Sequence, residues 1–169
     1  SFAFLHNGYW KDIGTVGSFY EANLALVSES SKFNTNDPVR PIYTEELDLP
    51  SPLVKNTQVD QSIISPGCVI EAKGIYRSLI GVRTSIGKGT TIEDSIIIGN
   101  LKSKATPPLV IGENCVIKKT IIDEQSSIGN NVQLINQKKI SSYDGNGIYI
   151  RDGIIVVSSG TKIPDGFIL

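Results

Sequence analysis

Ser78-Leu79-Ile80-Gly81-Val82-Arg83-Thr84-Ser85-Ile86-Gly87-Lys88-Gly89-Thr90-Thr91-Ile92-Glu93-Asp94-Ser95-Ile96-Ile97-Ile98-Gly99 is the stretch that decides the fold. One phrase, a small hydroxyl residue followed by two aliphatics, occurs twice in it, as Ser78-Leu79-Ile80 and Ser95-Ile96-Ile97. The phrase appears again as Ser62-Ile63-Ile64 and Thr120-Ile121-Ile122. Between the phrases, Ile80, Ile86, Ile92 and Ile97 follow one another at five or six residues. A helix places apolar residues three and four apart, and an amphipathic strand places them at every second position. A sustained period of five to six fits neither. It fits a hexapeptide solenoid, in which three short strands and three corners complete a coil of roughly 17 to 18 residues.

The series extends both ways, through Ile64, Ile70 and Ile75 before the stretch and through Ile111, Ile117, Ile122, Ile128 and Leu134 after it. The first three phrases are 16 and 17 residues apart and the last gap is 25, one period plus an eight-residue insertion. Residues 100–108 supply that insertion, being polar and ending in Pro107-Pro108. One aliphatic per face points to the axis beneath its counterpart in the next coil, and each buried Ile contributes about 1.5–3 kcal/mol. Gly87, Gly89, Asn130 and Asn131 are read as relieving corners of positive φ. Such coils cannot bury a core singly. The expected fold is therefore mainly β, a left-handed parallel β-helix over 59–169. Ser141-Ser142-Tyr143-Asp144-Gly145-Asn146-Gly147 reads as a second loop, and Lys162-Ile163-Pro164-Asp165-Gly166-Phe167-Ile168 as one more hexad.

The bulk properties narrow the function. Hydrophobic residues make up 40% of the 169 and charged ones 20%, which argues for a packed soluble chain. A formal net charge of -1 without blocks of like charge gives no electrostatic footprint for nucleic acid. No apolar run reaches the roughly 20 residues that span a bilayer, and the start lacks the pattern of a signal peptide. Cys68 and Cys115 stand 47 residues apart without a CxxC or Cys/His cluster, so buried free thiols in a reducing compartment are expected. The chain has no methionine, and we read residue 1 as a cut end within a longer protein.

Before Val59 the hexad pattern is absent. Residues 15–28 read as a helix, with Phe19, Ala22 and Leu26, and Tyr20, Leu24 and Val27, recurring three or four apart. Thr15 or Ser18 is the expected cap, Glu21 favouring Ser18 through a capping box. Pro38, Pro41, Pro50 and Pro52 punctuate an extended linker over 31–58.

Gly8-Tyr9-Trp10-Lys11-Asp12-Ile13-Gly14-Thr15, followed by Ser18-Phe19-Tyr20-Glu21-Ala22-Asn23-Leu24, resembles the end of the catalytic domain of the glucose-1-phosphate adenylyltransferase (ADP-glucose pyrophosphorylase) family. The likeness continues through Ile80-Gly81-Val82-Arg83, Ile111-Gly112-Glu113-Asn114-Cys115-Val116-Ile117-Lys118-Lys119, Ile121-Ile122-Asp123 and Gly147-Ile148-Tyr149-Ile150-Arg151-Asp152-Gly153-Ile154. The Trp-x-Asp-x-Gly-Thr element is shared by several sugar-phosphate nucleotidylyltransferases; its combination with the helix, the insertion and the Tyr-Ile-Arg ending is more specific. The resemblance implies that residues 1–30 are the tail of a nucleotidyltransferase domain whose remainder lies outside this chain. It implies that ATP and glucose 1-phosphate become ADP-glucose and pyrophosphate with Mg²⁺, in glycogen or starch synthesis. Asp12 is then a magnesium carboxylate and Trp10 shapes the sugar-phosphate pocket. The glycine-rich phosphate loop and second metal carboxylate of the family are absent from the chain, so this segment alone is expected to be inactive. Assembly into a homo- or hetero-tetramer, in the cytoplasm or in a plant's plastid, is also implied.

In this family the β-helix serves assembly and binds anionic metabolites that regulate activity. Arg151, Lys118, Lys119, Lys138 and Lys139 are the candidate basic groups for a phosphorylated effector. Two lysines of plant and cyanobacterial members are replaced here by Glu124 and Ser159. Three rival readings stand beside this one. A hexapeptide acyltransferase needs a histidine base on a coil, and the one histidine, His6, precedes the solenoid. A regulatory subunit of the same two-domain plan would differ upstream. A GDP-mannose-forming relative matches the Tyr-Ile-Arg region less well.

Overall fold

The computed structural model describes residues 2–28, 35, 37–44, 47–100 and 107–169. Three sheets wrap one axis, and in their parallel parts the hydrogen-bonded neighbour of each strand is its counterpart one coil later. The first sheet runs Leu53–Val54, Val69–Ile70, Thr84–Ile86, Leu109–Ile111, Ser127–Ile128 and Lys162–Ile163. The second runs Gln58–Asp60, Gly74–Tyr76, Thr91–Glu93, Val116–Lys118 and Gln133–Leu134. In the third, Ile63–Ile64, Leu79–Ile80, Ile96–Ile97 and Thr120–Ile122 lead to Ile154–Val157.

Register places like on like. Ile70, Ile86, Ile111, Ile128 and Ile163 form one axial ladder, Ile75, Ile92, Ile117 and Leu134 the next, and Ile80, Ile97, Ile122 and Val157 the third. Of the eleven isoleucines expected to line the axis, Ile70, Ile75, Ile80, Ile86, Ile92, Ile97, Ile111, Ile117, Ile122 and Ile128 are at most 2% exposed. Ile64, in the first coil, is half-buried because no coil precedes it.

The hydroxyl of the recurring phrase is structural. Ser62, Ser78, Ser95 and Thr120 stack, each side-chain oxygen accepting the amide of the next: Ser78 N to Ser62 at 3.1 Å, Ser95 N to Ser78 at 3.0 Å, Thr120 N to Ser95 at 3.2 Å. Each hydroxyl also donates to the carbonyl two residues back, as Ser95 does to Glu93 O at 2.7 Å. The ladder thus satisfies buried amides at a corner where strands end.

Several sequence expectations need correction. The solenoid starts at Leu53–Val54, which pairs with Val69–Ile70, and not at Val59. Val54 and Val59 already keep the five-residue step, but the first coil is half solvated and carries valine where later coils carry isoleucine. Gly89 and Asn131 do adopt positive φ, whereas Gly87 and Asn130 do not. Gly87 is required by proximity instead: a Cβ there would lie 2.8 Å from the Gly112 carbonyl carbon of the next coil. Most corners turn on non-glycine residues, among them Arg77, Asp94 and Lys119. Of the insertion, residues 101–106 lie outside the described residues, and its base is tied by Asn100 Nδ2 donating to Pro107 O at 2.6 Å.

The supposed second loop is a strand. Ser142–Gly145 pairs antiparallel with Ile148–Arg151, which pairs antiparallel with Ile154–Val157. Asn146-Gly147, both at positive φ, make the tight turn. The last hexad returns as read, Lys162–Ile163 on Ser127–Ile128 and Ile168 bridging Gln133.

Candidate functional site

The helix Val16–Leu24, continued by a 3₁₀ turn Ala25–Val27, lies on the outer surface of the third sheet. Thr15 is its cap: its hydroxyl accepts from Ser18 N at 3.1 Å while the Ser18 hydroxyl accepts from Thr15 N. Ser18 is therefore the reciprocal partner, not the cap, and Glu21 pairs instead with Lys11 at 2.9 Å. The paired aliphatics of the recurring phrase explain the docking. The second member points to the axis, and the first points outward, so Leu79, Ile96 and Ile121 with Ile154 and Val156 make an apolar stripe. Val16, Phe19, Tyr20 and Leu24 cover it, while Ile63 in the first coil stays 37% exposed.

Tyr20, buried, anchors the helix. Its hydroxyl donates to the backbone oxygen of Asp94 at 2.7 Å, and the Asp94 carboxylate is held by the Arg77 guanidinium one coil earlier. Burial, with the Asp94 charge beside it, pushes the Tyr20 phenol far above its ordinary range, so it stays a proton donor. Sequence reasoning placed Tyr20 on a helix face but missed Asp94 and Arg77. A hydrogen bond between residues 74 apart leaves no local trace.

Just before the helix, Trp10 and Asp12 are exposed on a segment without regular secondary structure, Trp10 at 77%. Asp12 Oδ1 accepts the Gly14 amide at 2.9 Å, which ties the carboxylate to the helix entry. No group of three or more His, Cys, Asp or Glu able to hold a metal occurs among the described residues. A single exposed carboxylate of this kind still fits magnesium, which takes one or two carboxylates beside phosphate oxygens and water.

The basic candidates divide. Lys118, Lys119 and Lys139 line one open cavity of about 410 Å³ with Ile135, Asn136 and Asp152. Lys118 Nζ is 2.9 Å from Glu93 Oε1, and Lys119 Nζ donates to Asp152 O at 3.3 Å. Asn136 builds the cavity wall, exchanging hydrogen bonds with the Ile140 main chain at 2.7 and 2.9 Å. Arg151 and Lys138 are not among the lining residues. Arg151 is held within its hairpin by Asp144 Oδ1 at 2.6 Å and by the carbonyls of Tyr143 and Ile150. Of the five basic candidates, Lys118, Lys119 and Lys139 thus share one cavity, and Arg151 is engaged by its own hairpin. Glu124 and Ser159 lie at the following corner, where Gly160 N donates to Glu124 O at 3.0 Å, apart from the lysine cavity.

Both thiols are buried and free, and burial raises their pKa above the ordinary thiol value. No helix among the described residues is long and apolar enough to cross a membrane.

The family model of the GLGC left-handed parallel beta-helix domain matches residues 48–168, most of the chain. The chain belongs to that family. The GLGC β-helix is the C-terminal domain of glucose-1-phosphate adenylyltransferase, so the resemblance read from the motifs holds, and the solenoid is left-handed. The matched segment begins ahead of Leu53, in keeping with the earlier start of the coils. It places the chain within the theme of nucleotidyl transfer and glycogen biosynthesis.

Proposed function

We propose that this chain is the C-terminal region of an enzyme that makes ADP-glucose and pyrophosphate from ATP and glucose 1-phosphate. In this reading the GLGC β-helix anchors the end of the catalytic domain, takes part in assembly of a tetramer, and receives a regulatory anion. The observation that carries the reading is the helix Val16–Leu24. It follows Trp10 and Asp12 directly and is docked along the solenoid by a continuous apolar stripe.

In the reaction a phosphate oxygen of glucose 1-phosphate attacks the α-phosphorus of ATP. One P–O bond forms, the bond to the β-phosphate oxygen breaks, and pyrophosphate leaves with the electron pair. The protein's task is to position two anions and balance charge. Bound magnesium supplies charge neutralisation on the phosphates. Asp12 would give it one carboxylate oxygen, and Trp10 would wall the sugar-phosphate pocket.

The lysine cavity supports the regulatory part. Lys119 and Lys139, with Lys118 beside them in its pair with Glu93, suit a small phosphorylated metabolite. Glu124 and Ser159 replace the lysines of plant relatives, so 3-phosphoglycerate is a poor candidate and a sugar phosphate a better one. In the complete enzyme, Asp12→Asn should lower turnover on the order of 100-fold or more, the scale for removing one preorganised electrostatic group. Unchanged turnover by a folded variant would remove Asp12 from the active site.

A further inference from the structure

Asp12 and the solenoid are joined by a short and continuous set of contacts. Asp12 Oδ1 holds the Gly14 amide, Thr15 caps the helix, and Tyr20, one turn further on, reaches the Asp94 carbonyl. Asp94 itself sits at a corner of positive φ whose backbone is held by its own amide donating to Tyr76 O at 3.1 Å, a bond that does not depend on the carboxylate. The far end of the contact is therefore fixed by the coil stack. The near end is carried by the helix and by Ile13, which lines a cavity with Ile98, Asp123 and Val156, while the stripe of aliphatics beneath the helix is non-directional and permits sliding. The Tyr20 hydroxyl makes a directional hydrogen bond from the docked helix to the coil stack and so opposes that sliding.

We propose that Tyr20 is a positioning residue for the reaction, its hydrogen bond to the Asp94 carbonyl setting where the helix, and with it the Asp12 carboxylate, stands relative to the solenoid. This rests on the reading of Asp12 as a magnesium carboxylate. Loss of the hydroxyl leaves the ring and its apolar contacts in place but frees the helix to shift by a fraction of a turn. A carboxylate so displaced meets magnesium less well, and Trp10, two residues earlier on the same segment, moves with it, while the site for the nucleotide base is untouched.

The test uses the complete enzyme and three variants, Tyr20→Phe, Asp94→Asn and Asp12→Asn, assayed well below the melting temperature of each. Tyr20→Phe is expected to raise the Mg²⁺ concentration for half-maximal rate and to lower kcat, each by roughly three- to tenfold, the range of a single hydrogen bond. KM for glucose 1-phosphate should rise as well, because Trp10 shares the displaced segment. Asp94→Asn keeps the carbonyl and a residue type that tolerates positive φ, so its Mg²⁺ curve should stay near that of the wild type. A Tyr20→Phe enzyme with a lowered melting temperature but unchanged Mg²⁺ curve and kcat overturns the proposal. An Asp94→Asn enzyme as impaired as Tyr20→Phe overturns it too, because the corner charge would then be the cause. If Asp12→Asn is itself fully active, the underlying reading of Asp12 fails instead.

Discussion

Replacing Ser95 by alanine isolates the contribution of the hydroxyl ladder. Ser95 is fully buried, accepts the Thr120 amide at 3.2 Å and donates to Glu93 O at 2.7 Å. Glu93 O keeps a second donor, the Lys119 amide at 3.1 Å, so the carbonyl remains satisfied in the variant. The Thr120 amide does not, since no other acceptor faces it in the ladder. An amide left buried and unpaired costs about 1–3 kcal/mol. For a chain of this size that lowers Tm by roughly 2–4 °C per kcal/mol, so a loss of roughly 4–8 °C is expected at the middle of the range. Thermal melts and urea titrations of the purified chain measure it. Ser95→Thr, which restores the hydroxyl in the form found at Thr120, should recover most of the loss. If Ser95→Ala melts within 1 °C of the wild type, the reasoning is refuted.

Three further outcomes follow. Ile96→Ala should destabilise by about 2–5 kcal/mol because it opens the helix interface, whereas Val69→Ala, also outward but 41% exposed, should cost no more than about 1 kcal/mol; urea denaturation compares them. Cys68 and Cys115 should resist a thiol reagent in the native state and react fully in denaturant. Because their folded pKa is raised, the stability they contribute is complete below the unfolded thiol value and is lost as pH rises through the folded one, so Tm should begin to fall above about pH 8.5. In the complete enzyme, Lys119→Ala and Lys139→Ala should weaken activation by a sugar bisphosphate several-fold, while Arg151→Ala should chiefly lower the melting temperature through loss of its Asp144 pair; unchanged activation in both lysine variants would remove the cavity from regulation.

The solenoid was legible because its axial ladders repeat one residue type at a fixed spacing. A period survives in sequence when each coil meets the same environment. The first coil escaped because it does not: Val54 and Val59 face a half-open end, and the reading followed isoleucine. The antiparallel strand Ser142–Gly145 escaped for a different reason. Its residues are polar and mostly exposed, so composition says loop and only pairing with Ile148–Arg151 says strand. The motif around Asp12 was legible as a motif, yet its attachment was not. Lys118, Lys119 and Lys139 were all named, but which cations converge depends on Asn136 folding its loop back onto Ile140. The pairing of Arg151 with Asp144, seven residues earlier, was not legible, because it depends on the hairpin that brings the two strands together.

The most direct test of the account is the substrate preference of the complete enzyme carrying this region. Pyrophosphate release and sugar-nucleotide formation would be followed with Mg²⁺, offering ATP with glucose 1-phosphate against GTP with mannose 1-phosphate. The account predicts ADP-glucose as the main product, abolished or nearly so by Asp12→Asn, with no synthesis by residues 1–169 alone. Preferential formation of GDP-mannose, or no nucleotidyl transfer at all by the folded full-length protein, would contradict it.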